Sequence, residues 1–320
     1  MNYDIGVDIG GTKIAIALVE DGRSIASKTS FPTYEYIDPA KAVERIADAV
    51  RLLVSAAELE MKDIRSVGIG TAGLANRRDG ILETSPNLGW KDVPLTAMLE
   101  AKLGIMAIIE NDANAAALGE HLAGAATDAH TSLMVTLGTG IGGGFVIGDY
   151  LHKGINFAEL EVGHMVIKQG GRHCRCGRNG CFERYASATG LNITTRHIMK
   201  KYPESAMWEA VGGDVKKITT FTAFDAAAKG DEAATVVIDK FLTDLSTGIT
   251  NLINIFQPDV LCIGGGLAAR DDELLVPLKR KAAEEVYSRA SAVNTVIKKA
   301  KLGNDAGLIG AANLVGLKTF

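Results

Sequence analysis

The sequence predicts an α/β fold built from two related domains, and three features carry that prediction. The chain has 320 residues, enough for about two domains of ordinary size. Apolar strands joined by a Gly/Thr-rich turn occur twice, in "YDIGVDIGGTKIAIALVE" and in "SLMVTLGTGIGGGFVIGD". The apolar strand "IMAII" runs directly into the alanine-rich "ENDANAAALGE", a strand-to-helix succession typical of layered α/β sheets. Similar strand-turn-strand repeats in successive halves therefore predict two related domains.

The elements of the first domain follow in order along the chain. Residues 39–59 repeat apolar side chains at helical spacing, which predicts an amphipathic helix packed on the first sheet. Strands at 66–73 and 105–109 complete that sheet, and a helix begins near Ala113. The apolar stripe of the first helix consists of Val43, Ile46, Ala47, Val50, Leu53 and Val54.

The predicted first lobe covers 1–118 and the second covers 119–305. Within the second lobe, residues 200–225 are predicted to be helical with a loop at Gly212 and Gly213. The terminal segment 306–320 has the pattern of a helix.

The composition excludes several classes of protein. A hydrophobic content of 47%, a charged content of 22% and only 7 prolines argue against disorder. The net charge is −4, and Lys/Arg groups are short, at 279–281 and 298–301, so we expect no nucleic-acid partner. Asp4 and Asp8 stand where a secretory signal needs a basic start and an apolar run. No apolar run reaches the roughly 18 residues of a membrane span, so we expect a cytoplasmic protein without a membrane partner.

Three of the four cysteines lie close together in "CRCGRNGC", as Cys174, Cys176 and Cys181. Clustered cysteines in a reducing compartment favour a metal site over disulfides. Across a glycine-containing spacer, His164 completes a tetrahedral Cys₃His set that is typical of structural zinc, so the zinc loop spans 164–181. Three unligated thiols and a redox switch are the alternatives.

Two acidic residues flank this loop. Glu161 precedes His164 by three residues, and Glu183 follows Cys181 by two. A metal clip would hold both carboxylates and one edge of the imidazole in one place, which suggests a substrate pocket.

Glycine-rich turns follow apolar strands at 10–12, 138–140 and 264–266. Backbone amides at glycines, with threonine hydroxyls, are the donors that a polyphosphate needs, although each turn alone also fits an ordinary hairpin. Residues 138–143 match G-x-G-x-x-G with Glu159 about 20 residues on, but a strand follows instead of a helix, which argues against a dinucleotide fold. No G-x-x-x-x-G-K-[ST] occurs, so a P-loop is excluded. We expect the two related domains to close on one nucleotide.

Asp112 lies between the strand at 105–109 and the helix that follows, where open α/β sheets place ligands. As a structural residue it is a good helix N-cap, and the helix dipole is expected to lower its pKa. Such an aspartate still suffices as the acceptor of a hydroxyl proton in phosphoryl transfer, because positioning and charge neutralisation dominate that reaction.

Six motifs, in this order, resemble the ROK family of sugar kinases and repressors. They are "DIGGTK", "ENDANAAALGE", "LGTGIGGGFVIGD", "ELEVGHMVI", "CRCGRNGCFERYAS" and "IGGGLA". The resemblance runs from about Gly6 to the terminal "GLIGAANLVGL", essentially the whole chain. It implies an actin/hexokinase-type (ribonuclease H-like) fold of two α/β lobes, with a sugar in the cleft, ATP and Mg²⁺ across it, and the helix 306–320 returned to the first lobe.

The resemblance also implies roles for individual residues. Asp112 matches the general base that takes the proton from the sugar hydroxyl. His164 would serve twice, with one ring nitrogen on zinc and the other edge toward the sugar. The positions that match sugar ligands are Gly73, Asn87, Asn111, Asp112, Glu161, His164 and Glu183. The positions that match the cation and nucleotide site are Asp8, Gly10, Gly11, Thr12, Lys13, Gly138, Thr139, Gly140, Gly264, Gly265 and Gly266.

The predicted activity is ATP-dependent phosphorylation of glucose at its 6-hydroxyl, with structural Zn²⁺ and with Mg²⁺ bound to ATP. "PNLGWKDVPL" resembles the family's bacterial glucokinases more than its fructose or amino-sugar kinases. The alternatives are kinases for fructose, mannose, N-acetylglucosamine or N-acetylmannosamine, and polyphosphate as the donor. "TAGLAN" departs from the G-x-P-G or G-G-R of many members, and its lack of an arginine argues against acylaminomannose kinases.

A sugar-responsive repressor is the alternative from another class. Such relatives carry an N-terminal helix-turn-helix, for which the first glycine turn, starting at Asp8, leaves no room, and the acidic net charge agrees. A nucleotide-gated scaffold without chemistry would be supported only if Asp112 were absent. Because family members are often dimers or tetramers, the resemblance implies a homo-oligomer.

Overall fold

The computed structural model describes residues 1–35 and 38–317 of the chain. The β-strands of the described chain are β1 (Tyr3–Ile9), β2 (Lys13–Glu20), β3 (Ser24–Pro32), β4 (Ile64–Thr71), β5 (Leu74–Asn76), β6 (Ile81–Ser85), β7 (Trp90–Val93), β8 (Ala107–Asn111), β9 (Thr131–Leu137), β10 (Ile141–Ile147), β11 (Tyr150–Leu151), β12 (Val260–Gly264) and β13 (Val296–Lys299). Its α-helices are α1 (Pro39–Ala56), α2 (Leu95–Leu103), α3 (Asp112–Ala123), α4 (Glu183–Ala186), α5 (Ala188–Met199), α6 (Met207–Ala210), α7 (Thr220–Ala227), α8 (Glu232–Phe256), α9 (Val276–Glu285) and α10 (Ala306–Ala312).

Two compact units divide the chain. The first combines Met1–Val135, Gly143–Leu160 and the residues from Ala300 onward, and the second combines Thr136–Gly142 with Glu161–Lys299. The lobe boundaries drawn from the sequence stay a prediction.

The first unit is built on a five-stranded sheet with strand order β3-β2-β1-β4-β8. The β3-β2-β1 part is antiparallel, whereas β1, β4 and β8 are parallel. The register pairs Ile9 with Thr71 and Thr71 with Asn111, so the carboxyl ends of the three parallel strands lie level. Asp8 and Asp112 are consequently brought to one edge of the sheet, the edge at which open α/β sheets bind ligands.

Helices cover both faces of this sheet, which explains why β1 is buried on successive residues. The amphipathic helix predicted over 39–59 is confirmed as α1, and its predicted stripe lies in the main core with the residues of β1 and β4. On the other face α10 packs so closely that a Cβ on Gly6 would stand 2.0 Å from the carbonyl oxygen of Leu308. Only glycine permits that approach of helix backbone to strand.

A second sheet has strand order β11-β10-β9-β12-β13, and a small antiparallel sheet has the order β5-β6-β7. The predicted strand-turn-strand repeats correspond to β1-β2 and β9-β10. The buried strand β12 leads, through the third glycine turn and short helical turns, to α9, as the sequence indicates.

The terminal helix is shorter than predicted. The terminal helix, predicted over 306–320, stops at Ala312, because the Asn313 side-chain amide donates to the carbonyls of Ile309 and Gly22, both at 2.7 Å. A single 3₁₀ turn follows at Leu314–Gly316, and residues 318–320 lie outside the described residues.

The helical prediction for residues 200–225 is confirmed only in part, because turns occupy most of 200–206 and α6 has four residues. The predicted loop is confirmed at Gly212 and Gly213, which have φ of 59° and 75° and lie between α6 and α7. Across the described parts of the chain, no helix combines the length and apolar character needed to cross a bilayer.

Candidate active site and metal cluster

The four predicted metal ligands converge in the second unit. The Sγ atoms of Cys174, Cys176 and Cys181 and one ring nitrogen of His164 all lie within 4.8 Å of one another. Cys176 Sγ is 3.6 Å from Cys181 Sγ, and Cys174 Sγ is 3.7 Å from His164 Nδ1. A tetrahedral zinc ion with Zn–S bonds of about 2.3 Å places its sulfur ligands about 3.8 Å apart. The donor set and its spacing therefore fit zinc.

Local turns and burial prepare this cluster. Gly177 and Gly180 adopt φ of 91° and 86°, a conformation that favours glycine, and so reverse the chain between the cysteines. Burial raises the pKa of the Cys174 thiol to about 12 and also raises that of Cys181. A bound divalent cation favours the thiolate form, so it would offset the cost of gathering buried sulfur atoms.

The cluster holds the three predicted sugar ligands of this unit together. Cys174 Sγ donates to Glu183 Oε1 at 3.1 Å, and Glu183 lies at the start of α4. His164 Nδ1 faces the cysteines, while its Nε2 lies 3.9 Å from Glu161 Oε2. Glu161, His164 and Glu183 thus form one polar surface whose shape depends on the metal loop. Their role in sugar binding stays a prediction.

One glycine turn, 138–140, lies beside this surface, and a second, 264–266, lies beside the strand that leads into the first. A Cβ on Gly140 would stand 2.6 Å from Glu183 Oε2, and a Cβ on Gly265 would stand 2.4 Å from the carbonyl oxygen of Leu137. The turn at 138–140 is anchored on the start of α5, since Ala188 N–H donates to the Gly138 carbonyl and Thr189 Oγ1 to the Thr139 carbonyl. No pattern in the sequence marks Thr189 for this anchoring role.

In the first unit the turn between β1 and β2 is closed by the Gly10 N–H, which donates to the Lys13 carbonyl at 3.0 Å. Thr33 Oγ1 donates to the Gly10 carbonyl at 2.7 Å and fixes the turn from outside. A Cβ on Gly11 would lie 3.5 Å from Asn87 Cβ, so the predicted phosphate turn and a predicted sugar residue are neighbours.

Asp112 is the first residue of α3, but it is not the cap of that helix. Asn111 is the cap, because its Oδ1 accepts from the N–H groups of Ala113 at 2.8 Å and Asn114 at 3.3 Å. The Asn111 amide also donates to the carbonyl of Gly73 at 3.2 Å, which joins two predicted sugar residues. The capping role that the sequence suggests for Asp112 is therefore wrong, although Asp112 Oδ1 also accepts from the Ala113 N–H at 2.9 Å, which leaves Oδ2 as the oxygen available to a ligand.

The expected lowering of the Asp112 pKa is also wrong. Burial raises the pKa of Asp112, and this effect outweighs its hydrogen bond from the backbone N–H of Ala113. Burial likewise raises the pKa of Asp8 to about 6, the charge of Asp112 adds to the increase, and Lys13 opposes it. Desolvation dominates the dipole of the helix start at this position.

A buried polar network connects Arg77, Glu110, Asn114 and Glu159, and the sequence does not predict it. The Asn114 amide donates to Glu110 Oε1 at 3.1 Å and to Glu159 Oε1 at 2.7 Å, and Arg77 Nη1 lies 3.9 Å from Glu110 Oε2. Glu159 reaches this network from a loop 45 positions along the chain. The sequence around Glu159 suggests only the ribose-binding acid of a dinucleotide fold, and the strand that follows the glycine turn excludes that fold.

A model of the ROK family matches residues 4–317. The chain belongs to the ROK family. A glucokinase of Halalkalibacterium halodurans is 36% identical to this ROK protein over 313 residues, 97% of this chain and 94% of the relative. A xylose repressor of Caldicellulosiruptor bescii is 29% identical over 97% of this chain and 77% of its own length.

Among solved structures, a ROK family glucokinase from Streptomyces griseus in complex with glucose and AMPPNP matches with a TM-score of 0.79 and 32% identity. The match covers 98% of this chain and 99% of that chain. The two-lobe α/β fold of ROK kinases, predicted from the six motifs, is thereby confirmed, and the Cys₃His cluster is part of it.

Proposed function

We propose that this ROK protein is an ATP-dependent glucokinase, which phosphorylates glucose to glucose 6-phosphate. The relative from H. halodurans, named a glucokinase, matches nearly the full length of the chain, and the S. griseus structure contains glucose and AMPPNP. The observation that carries the proposal is the placement of Asp112 at the carboxyl edge of the parallel strands, with Asn111 as the cap. That arrangement leaves a carboxylate available to a substrate hydroxyl.

Asp112 acts as the general base. Because burial raises its pKa, Asp112 holds a proton more strongly than a surface aspartate and is the better acceptor for a sugar hydroxyl. The proton moves from the 6-hydroxyl to the Asp112 carboxylate as the oxygen bonds to the γ-phosphorus and the bond from that phosphorus to the bridging oxygen of ADP breaks.

Glucose binding is assigned to hydrogen-bonding groups that are already held in place. Asn111 is fixed by its capping bonds, and Glu183 is held at the start of α4, two residues after the metal ligand Cys181. Glu161 and His164 lie beside Glu183 and offer further acceptors and a donor to sugar hydroxyls. Gly73 and Asn87 complete the assigned set.

Zinc is assigned to His164, Cys174, Cys176 and Cys181, whose donor set fits it. Its contribution is structural, since four protein ligands leave no position for a substrate.

Mg²⁺ with ATP is assigned to Asp8. The Asp8 carboxylate is half-buried and makes no hydrogen bond to another described residue, and its pKa of about 6 reflects that environment, so a divalent cation fits there. When bound, Mg²⁺ neutralises phosphate charge. Phosphate and nucleotide binding is assigned to the three glycine turns, namely Gly10, Gly11, Thr12, Lys13, Gly138, Thr139, Gly140, Gly264, Gly265 and Gly266.

A coupled ADP-release assay tests the activity. With ATP as donor, the expected result is turnover with glucose that exceeds turnover with mannose, fructose, N-acetylglucosamine and N-acetylmannosamine. Replacing ATP by polyphosphate, with glucose 6-phosphate formation as the readout because no ADP is then released, tests the donor. Tight glucose binding without ADP release from any of the sugars would contradict the kinase and support the sugar-sensing alternative.

Glu183→Gln tests the sugar-binding surface. The variant should weaken glucose binding by about tenfold while MgATP affinity changes by less than about twofold, because one charge-assisted hydrogen bond to a hydroxyl is lost. Equal loss of both affinities would show that Glu183 supports the fold instead of the sugar. We further propose a cytoplasmic homo-oligomer, dimer or tetramer, which sedimentation equilibrium would resolve.

A further inference from the structure

A cavity of about 550 Å³ lies in the second unit and is bordered by the metal loop. Its walls are one face of α5 with the turn that follows, and one face of α8. Its remaining wall comes from the metal loop and its flank, through Lys168, Arg172 and Tyr185. A volume of this size is ample for a small metabolite.

The helix faces that line the cavity are mostly polar, and Lys201, Asp239 and Lys240 on them are exposed and open to a ligand. From α5 and its turn come Thr194, His197 and Lys201, and from α8 come Asp239, Lys240, Thr243 and Asp244. On each helix these positions lie three or four residues apart and so share one face, with Ile198 and Val236 as the apolar members of the lining.

The cavity carries an excess of positive charge. Lys168 is neutralised by Asp244 at 2.7 Å. The Arg172 guanidinium donates only to neutral acceptors, among them Thr194 Oγ1 at 2.9 Å. Within the described chain Lys201 and Lys240 make no side-chain hydrogen bond or ion pair, nor does Asp239. The lining thus holds four cations, Lys168, Arg172, Lys201 and Lys240, against the two carboxylates of Asp239 and Asp244, which leaves the cavity suited to an anion.

The rest of the lining points to a carbohydrate portion of that anion. The Asp239 carboxylate and the Thr243 hydroxyl offer hydrogen-bond partners for sugar hydroxyls, and the His197 ring offers a flat surface. An inorganic anion would leave these groups unused.

We propose that this cavity binds a sugar phosphate, with Arg172, Lys201 and Lys240 around the phosphate group and Asp239 toward the sugar hydroxyls. The choice of a hexose phosphate, the product class of the reaction, rests on the proposed function.

The cavity shares a structural element with the proposed glucose site. The Tyr185 ring is held between Lys168 Nζ at 4.5 Å and the Arg172 guanidinium at 4.6 Å, and Tyr185 Oη accepts from the Arg172 backbone N–H at 2.6 Å. Tyr185 lies on α4, two residues after Glu183. Changing Arg172 or Tyr185 would thus disturb both the cavity and the proposed glucose site, whereas Lys201 and Lys240 belong to the cavity alone.

Isothermal titration of the whole protein with glucose 6-phosphate, in saturating glucose to occupy the proposed catalytic site, tests the proposal. The protein should bind a single molecule per chain, and the double variant Lys201→Gln/Lys240→Gln should weaken binding by about tenfold or more. The matched control Lys200→Gln/Lys229→Gln removes the same charge outside the cavity lining and should leave the affinity within about twofold. Inorganic phosphate should bind at least about tenfold more weakly than the sugar phosphate.

No binding, or binding that survives Lys201→Gln/Lys240→Gln, would overturn the site. Equal affinity for inorganic phosphate would overturn its assignment to a sugar phosphate. Because the titration measures binding and not turnover, its failure is distinct from a failure of the glucokinase proposal, which the ADP-release assay reports.

Discussion

Asp8 and Asp112 lie at the same edge of the first sheet, where the ionisation of each carboxyl group depends on burial and on the neighbouring charge. Burial raises the pKa of both, and the charge of Asp112 raises that of Asp8 further. Their mutual repulsion is the cost of bringing two carboxylates to one place, and a cation beside Asp8 would offset it. The same desolvation makes Asp112 a stronger proton acceptor. The electrostatic cost of the two carboxylates and the proposed catalytic role of Asp112 therefore both result from burial.

The Asp8→Asn variant tests this cost through stability. The pKa of Asp8 rises from 3.8 to about 6 on folding. Below about pH 4 the Asp8 carboxyl is protonated and costs no stability, whereas above about pH 6 the folded protein must hold a buried charge, so stability is lost as the pH rises through 6. Removing the charge should raise the free energy of unfolding by roughly 2 kcal/mol at pH 7.5, and the gain should vanish near pH 4. Urea unfolding of the zinc-loaded protein, without nucleotide or Mg²⁺, measures it. The exposed Asp128→Asn is the control, and a gain that is independent of pH would contradict the account.

At the scale of elements, the metal loop is a short segment whose fold depends on its ligands. It contains little regular structure, and its turns are held by a few backbone hydrogen bonds and the convergent side chains. Purified protein should therefore contain about one zinc per chain.

Cys176→Ser should remove the zinc and lower glucose affinity by about tenfold or more, with a smaller effect on MgATP, because Glu161 and Glu183 lose their support. Metal analysis and calorimetric titration measure both properties. Cys262→Ser, which lies in β12 outside the cluster, should keep its zinc. Full glucose affinity in a zinc-free preparation would contradict the structural role.

The ends of two helices offer a reciprocal test of backbone strain. The residue that follows α8 is Gln257, with φ of 41°. The residue that follows α2 is Gly104, with φ of 71° and open space where a Cβ would lie. Gln257→Gly should raise the free energy of unfolding by about 0.5 to 1 kcal/mol, and Gly104→Ala should lower it by about 1 kcal/mol. Both are read from urea unfolding, and changes of the same sign would show that left-handed strain does not govern these ends.

At the scale of the whole molecule, the features with a local signal could be predicted. The stripe of α1, the strand-turn-strand repeats and the four metal ligands each follow from residue types at fixed spacing. The order of six motifs was sufficient for the family, although only the structure shows that Glu161, His164 and Glu183 lie beside one another.

The features that could not be predicted depend on contacts between distant residues. The bond from Asn114 to Glu159 joins a helix to a loop 45 residues away, and nothing near Glu159 marks it as a partner. The pKa of Asp112 was predicted in the wrong direction, because the helix dipole is visible in the sequence and the enclosure of the carboxylate is not. The end of α10 depends on Asn313 reaching Gly22 across the fold.

The most direct test of the central claim compares turnover with glucose affinity in Asp112→Asn. The account predicts that kcat for ADP release with glucose falls by about 10²- to 10⁴-fold, because the hydroxyl proton has no acceptor. Glucose affinity, measured by calorimetry without ATP, should stay within about threefold, and Asp128→Asn should leave both unchanged. Wild-type turnover in Asp112→Asn, or a loss of glucose affinity as large as the loss of turnover, would contradict the assignment of Asp112 as the base.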